Sequence, residues 1–121
     1  MAVFVNDYIG EAIIAEVKYD KQNLEMTAII LTELCQTTNL KDSVCLDVGA
    51  NIGNHALHYS TIFKQVIAFE PNPVAYKLLE ANVMKNRIHN IKICTTALGQ
   101  RLETRTLSIY EGNLGMSSFA P

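Results

Sequence analysis

The stretch Leu46-Asp47-Val48-Gly49-Ala50-Asn51-Ile52-Gly53-Asn54 constrains this chain more than any other. An apolar run at residues 44–48 ends in a turn holding two glycines. Residues 54–63 then place Ala56, Tyr59, Ser60 and Phe63 on one side of a helix. A strand that breaks into a glycine turn and reopens as a helix is the entry to an α/β unit with a parallel sheet. The run 44–48 reads as a strand buried on both faces, the usual state in such sheets.

The elements that follow repeat the pattern. Residues 65–69 form a second short apolar run, stopped by Pro71 and Pro73. Pro73 suits a first helical turn, and Ala75, Leu79 and Val83 follow at four-residue intervals, so a helix runs to about Lys85. Residues 91–95 supply a third strand, 104–110 a further one, and 111–115 a turn. Before the glycine turn, Leu24, Ala28, Leu31 and Cys35 mark a core-facing helix. Residues 3–5 and 12–17 read as a small hairpin or extended arm around Asn6, Asp7 and Gly10. The expected fold is therefore α/β, a Rossmann-like doubly wound parallel sheet. An N-terminal arm and helix over 1–40 join a ligand-binding part over 41–121 in one structural unit.

Length and composition agree. At 121 residues and 49% hydrophobic content the chain can bury one core. A formal charge of -2 gives no broad basic surface, which argues against nucleic acid as a partner. No apolar run, that at 28–31 included, is long enough to span a bilayer. Cys35, Cys45 and Cys94 stand isolated in apolar surroundings, and fit buried thiols in a reducing, cytoplasmic compartment. The N-terminus lacks the basic and continuous apolar regions of a signal peptide.

Ligands of such sheets bind at the carboxyl ends of the strands, where the 49–53 turn lies. Gly49 and Gly53 permit positive φ or close backbone approach. The dinucleotide fingerprint asks for glycines at the first, third and sixth positions, but Asn51 and Asn54 occupy two of these. Asp47 just ahead would repel a pyrophosphate and attract an ammonium or sulfonium cation. Glu70, at the end of the second strand, can accept hydrogen bonds from vicinal ribose hydroxyls. Together these residues point to S-adenosylmethionine.

The segment from Leu46 to His55, with Phe69-Glu70-Pro71-Asn72-Pro73 and Thr96-Ala97-Leu98-Gly99, resembles the FkbM-type class I methyltransferases. The resemblance covers roughly residues 3–118. It implies methyl transfer from S-adenosylmethionine to a hydroxyl of a sugar or another small or lipid-linked acceptor. By the resemblance, Asp47 and the turn residues Gly49, Ala50, Asn51, Gly53 and Asn54 meet the methionine end. Glu70, flanked by Pro71, meets the ribose, and Asn72 with Ala97 surrounds the adenine. The family's Ile-Asp-Val-Glu-Gly motif on a fourth strand does not occur before Pro121. The expectation is therefore a sheet truncated before that strand, with an unpaired apolar edge at 44–48 that a partner chain or oligomer completes.

Plainer roles stand beside these. Asp47 can bond the backbone of the next helix, and Glu70 can be an ordinary loop carboxylate. His55 and His58 lie three apart but lack a third metal ligand, so they read as helix-surface or turn-packing residues. Tyr19, Asp20 and Glu25 can border the methionine end, or Asp20 can cap a helix. Asn113, Ser117 and Ser118 face an acceptor or form a polar hairpin tip. No general base is identifiable. Two other functions stay open: a non-catalytic adenosyl-ligand module, and a dinucleotide-dependent oxidoreductase that would need the missing glycines.

Overall fold

The computed structural model describes residues 1–4, 6–16, 20–36, 39–110 and 112–119. Its centre is a parallel sheet in the order β1 (Val44–Val48), β2 (Gln65–Phe69), β3 (Ile91–Cys94). Two helices make the crossovers, Asn54–Tyr59 between β1 and β2 and Pro73–Lys85 between β2 and β3. This is one βαβαβ half of a doubly wound sheet, so the α/β expectation holds. Two further helices precede it, which gives α1 (Tyr8–Glu16), α2 (Lys21–Leu34), α3 (Asn54–Tyr59) and α4 (Pro73–Lys85).

The side chains of each strand alternate between faces. Val66 and Ala68 of β2 are fully buried, and pack with Ala56 of α3, Leu79 of α4 and Ala50 of the turn. Cys45, Ile91 and Ile93 complete that face. The opposite face carries Val44, Leu46 and Val48, which are 50–60% exposed, so β1 is not buried on both faces as expected. Both crossover helices pack on the same face of the sheet, and the opposite face is left open along β1. Nor does any described strand pair with the outer edge of β1.

The first segment departs most from the sequence reading. Residues 8–16 form helix α1 rather than a hairpin or extended arm, while Val5 and Val17 lie outside the described residues. Asp7 sets the helix start, because its Oδ2 accepts the backbone N–H groups of Ile9 and Gly10, each at 3.2 Å. Gly10 reads as a breaker but serves close packing: a Cβ there would stand 1.9 Å from the carbonyl oxygen of Phe4. Ile9 and Ile13 of α1 pack with Ile52 of the turn, and Val3 and Leu78 close around them. The fully buried Asn82 of α4 ties the same region down, donating to the carbonyl oxygens of Ile52 (2.8 Å) and Ala2 (3.1 Å).

Helix α2 is not core-facing along its length, since Leu24 alone is buried in it and Met26, Ile29, Ile30 and Leu34 are exposed. Helix α3 stops at Tyr59 instead of residue 63, although Phe63 N–H still reaches the Tyr59 carbonyl at 2.9 Å. The Ser60 and Thr61 hydroxyls donate to the Leu57 and His58 carbonyls there, and such bonds compete with the helix ladder. The strand expected over 104–110 shrinks to β4 (Leu107–Ser108), paired antiparallel with β5 (Ser118–Phe119). A single 3-10 turn, Leu114–Met116, lies between them, and Glu111 is outside the described residues. The cysteines are less buried than expected: Cys35 is exposed, and Cys45 and Cys94 are half-buried.

Candidate functional site

The turn after β1 is bolted to the end of β2. Gly49 and Ala50 both donate their N–H groups to the Phe69 carbonyl, at 2.9 and 3.0 Å. Gly49 (φ 82°), Asn51 (φ 50°) and Gly53 (φ 97°) all lie in the left-handed region. The two glycines do different work. A Cβ at Gly49 would meet nothing within 4 Å, so the space beside this residue is open. At Gly53 a Cβ would stand 2.4 Å from Leu79 Cδ1 and 2.9 Å from Leu57 Cδ1, so its smallness lets α3 and α4 pack.

Glu70 is buried, and its carboxylate spans the base of the site. Oε2 accepts the Asn51 N–H and Oε1 the Asn72 N–H, both at 2.8 Å. The carboxylate therefore joins the glycine turn to the start of α4. Asn72 caps that helix: its Oδ1 accepts the Val74 N–H at 3.0 Å, and its Nδ2 donates to Ser117 Oγ at 3.2 Å.

A cavity of about 270 Å³ opens above these groups, close to the lower end of the range for small-molecule sites, roughly 300–1,000 Å³. Gly49, Asn51, Glu70, Pro71, Ala97 and Ser117 are among the residues that line it. Leu98, Phe69, Leu107, Leu114 and Phe119 add an apolar wall. A smaller cavity of about 130 Å³ adjoins it, sharing Gly49 and Asn51 and lined also by Ile9, Ala50, Ile52, Asn54 and His55.

Of the residues singled out in the sequence, Gly49, Ala50, Asn51, Asn54, Glu70, Pro71 and Ala97 line one cavity or the other. Asp47, Gly53 and Asn72 line neither. Asp47 sits behind the turn, where its carboxylate accepts the backbone N–H of Ala56 in α3. Its Oδ2 is buried without a hydrogen-bond partner. Burial pushes the Asp47 carboxyl above its usual range, the His55 charge and the Ala56 N–H pull it down, and Glu70 adds to the rise. Asp20 precedes α2 without a side-chain capping bond. It meets His55 Nε2 at 3.4 Å instead. Glu25 pairs with Lys21 on the exposed face of α2, and Tyr19 lies outside the described residues.

Asp7 was not read from the sequence as a site residue, yet it is buried and its Oδ1 accepts the Leu114 N–H at 2.9 Å, beside the larger cavity. The visible signal was an Asp directly before the α1 residues, a common helix-start pattern.

No protein-family model matches the chain. A curated relative, the 31-O-demethyl-FK506 methyltransferase FkbM of Streptomyces tacrolimicus, is 35% identical over 80 residues. The chain is similar to an FkbM-type methyltransferase. The match takes in 64% of this chain and 30% of the relative, so the chain spans about a third of that protein's length. Among solved structures, coclaurine N-methyltransferase bound to N-methylheliamine and SAH is 18% identical with a TM-score of 0.49, over 72% of this chain and 28% of that one. A putative methyltransferase from Streptococcus mutans in complex with SAH is 21% identical with a TM-score of 0.48, over 57% of this chain and 40% of that one.

Proposed function

We propose that this chain carries the S-adenosylmethionine-binding part of a methyltransferase. The observation that carries the reading is the open space at Gly49, facing a cavity with the Glu70 carboxylate at its base. Each Glu70 oxygen already accepts one backbone N–H and keeps further acceptor capacity for a ribose hydroxyl. Pro71, Ala97 and Leu98 offer an apolar surface to an adenine ring. Asp47 lines neither cavity, and from behind the turn its carboxylate would act on the sulfonium and ammonium of the methionine end through charge alone, without contact.

S-adenosylmethionine supplies an activated methyl group when bound. The chain's own residues bind and orient it, and the catalytic gain expected from such a site is alignment with an acceptor. The acceptor class in this reading is a hydroxyl on a sugar or another small or lipid-linked molecule, as the FkbM resemblance implies. The reading also includes a partner chain or second copy along the unpaired β1 edge, where Val44, Leu46 and Val48 are exposed. Three free cysteines support a reducing, cytoplasmic setting. Among the described residues no helix is long and apolar enough to cross a membrane.

Calorimetric titration with S-adenosylhomocysteine, with NAD as the control ligand, tests the reading. Saturable binding of the first alone is expected. Binding of NAD alone would replace it with a dinucleotide site, and binding of neither would remove the adenosyl function from these residues.

A further inference from the structure

We propose that residues 113–117 form a strap that holds the nucleoside end of the ligand in the larger cavity, and that Asp7 is the residue that positions it. The inference rests on the adenosyl-ligand reading above. Three tethers define the strap. Asp7 Oδ1 accepts the Leu114 N–H at 2.9 Å, across more than a hundred residues of sequence. Ser117 Oγ accepts from Asn72 Nδ2 at 3.2 Å. Between them Gly115 sits so close to α1 and the glycine turn that a Cβ on it would stand 3.1 Å from Ile9 Cδ1 and 3.5 Å from Asn51 Nδ2.

The tethers fall on meaningful residues. Asn51 and Asn72 are the two whose backbone N–H groups hold the Glu70 carboxylate. Leu114, Gly115 and Ser117 line the larger cavity opposite that carboxylate. The strap thus rests on both ends of the Glu70 clamp, and a nucleoside bound there is enclosed between clamp and strap. Inside the strap, the Asn113 Oδ1 accepts the Gly115 N–H at 3.0 Å and Ser117 Oγ donates to the Leu114 carbonyl at 2.9 Å, so the piece holds its own shape. Asp7 supplies the tether to α1, and it is buried, so that charge-assisted bond is little weakened by solvent.

The two carboxylate oxygens of Asp7 separate its roles. Oδ2 caps α1 through Ile9 and Gly10, whereas Oδ1 alone holds the strap. A serine at this position restores a helix cap but is too short to reach Leu114. The test compares the unsubstituted chain with Asp7→Ala and Asp7→Ser. Thermal unfolding is measured beside the dissociation rate of S-adenosylhomocysteine and hydrogen exchange at the Leu114 and Gly115 amides.

Asp7→Ser should keep most of the melting temperature that Asp7→Ala loses. Both should release S-adenosylhomocysteine about ten- to a hundredfold faster, the span expected for one lost hydrogen bond to a charged group. Ligand should slow exchange at Leu114 and Gly115 in the unsubstituted chain and much less in either variant. Unchanged dissociation in both variants overturns the strap, as does a Ser variant that regains slow release together with its stability. Failure of the unsubstituted chain to bind S-adenosylhomocysteine overturns the cofactor reading, and the strap with it.

Discussion

Glu70 Oε2 accepts the backbone N–H of Asn51 at 2.8 Å, and this bond secures a residue of left-handed conformation at the middle of the glycine turn. The same carboxylate holds Asn72 through its other oxygen. A group that looks in sequence like a ligand anchor is therefore a brace between the glycine turn and the start of α4.

That double duty makes Glu70→Ala a stability variant as well as a binding one. Two backbone N–H groups lose a charged acceptor, each bond worth about 1.5–3 kcal/mol, so the unfolding free energy should fall by about 3–6 kcal/mol. Glu70→Gln keeps one acceptor oxygen and should lie between. Urea unfolding of the three chains gives the answer. A loss under about 1 kcal/mol for the alanine variant would mean that the turn stands without its brace.

The glycines should separate in the same kind of experiment. Gly49→Ala puts its methyl into open space at φ 82°, so the fold should lose only the left-handed strain, about 1–2 kcal/mol, while adenosyl-ligand binding suffers. Gly53→Ala drives a Cβ to 2.4 Å from Leu79 Cδ1, and overpacking adds about 1–3 kcal/mol to the strain. Denaturation midpoints that drop equally for both would contradict this division of labour.

Proton linkage offers a third check. The folded Asp47 carboxyl is held above its ordinary value of 3.8, first by burial. The folded chain then holds this proton more tightly than the unfolded chain. The stability it contributes is present below 3.8 and is lost as pH rises through the folded value. A cation bound nearby favours the ionised form, so ligand binding should release a proton and strengthen as pH rises across that window. Calorimetry of S-adenosylmethionine, which carries the sulfonium, in buffers of different ionisation enthalpy reads the proton directly. Asp47→Asn should abolish the release, and a variant that still released it would assign the proton to another group.

The strand-turn-helix core was legible because local signals agreed there: apolar runs at 44–48, 65–69 and 91–95, a proline at the start of α4, and glycines at the turn. The reasons for individual residues were less so. Gly53 and Gly49 look alike in sequence, and only the positions of Leu79 and Leu57 show that one serves packing. Helix α1 was hidden by Gly10, whose close contact with Phe4 belongs to tertiary structure. Asp7 and Leu114 meet through the fold alone, since no local pattern joins residues so far apart.

The exposed face of β1 gives the last test. Val44, Leu46 and Val48 point away from the face that α3 and α4 cover, and are 50–60% exposed, whereas Val66 on β2 is fully buried. Replacing Leu46 and Val48 together by threonine puts β-branched, strand-favouring side chains at both positions and removes little buried area. The unfolding free energy should change by less than about 1 kcal/mol. Val66→Thr places a hydroxyl in the packed core and should cost about 1–3 kcal/mol. Self-association of the 121-residue chain, followed by sedimentation velocity, should fall for the double variant, because an apolar open strand edge is a template for pairing. If the double variant instead destabilises the chain as much as Val66→Thr does, the outer face of β1 is covered in solution, and the description of that face as open is wrong.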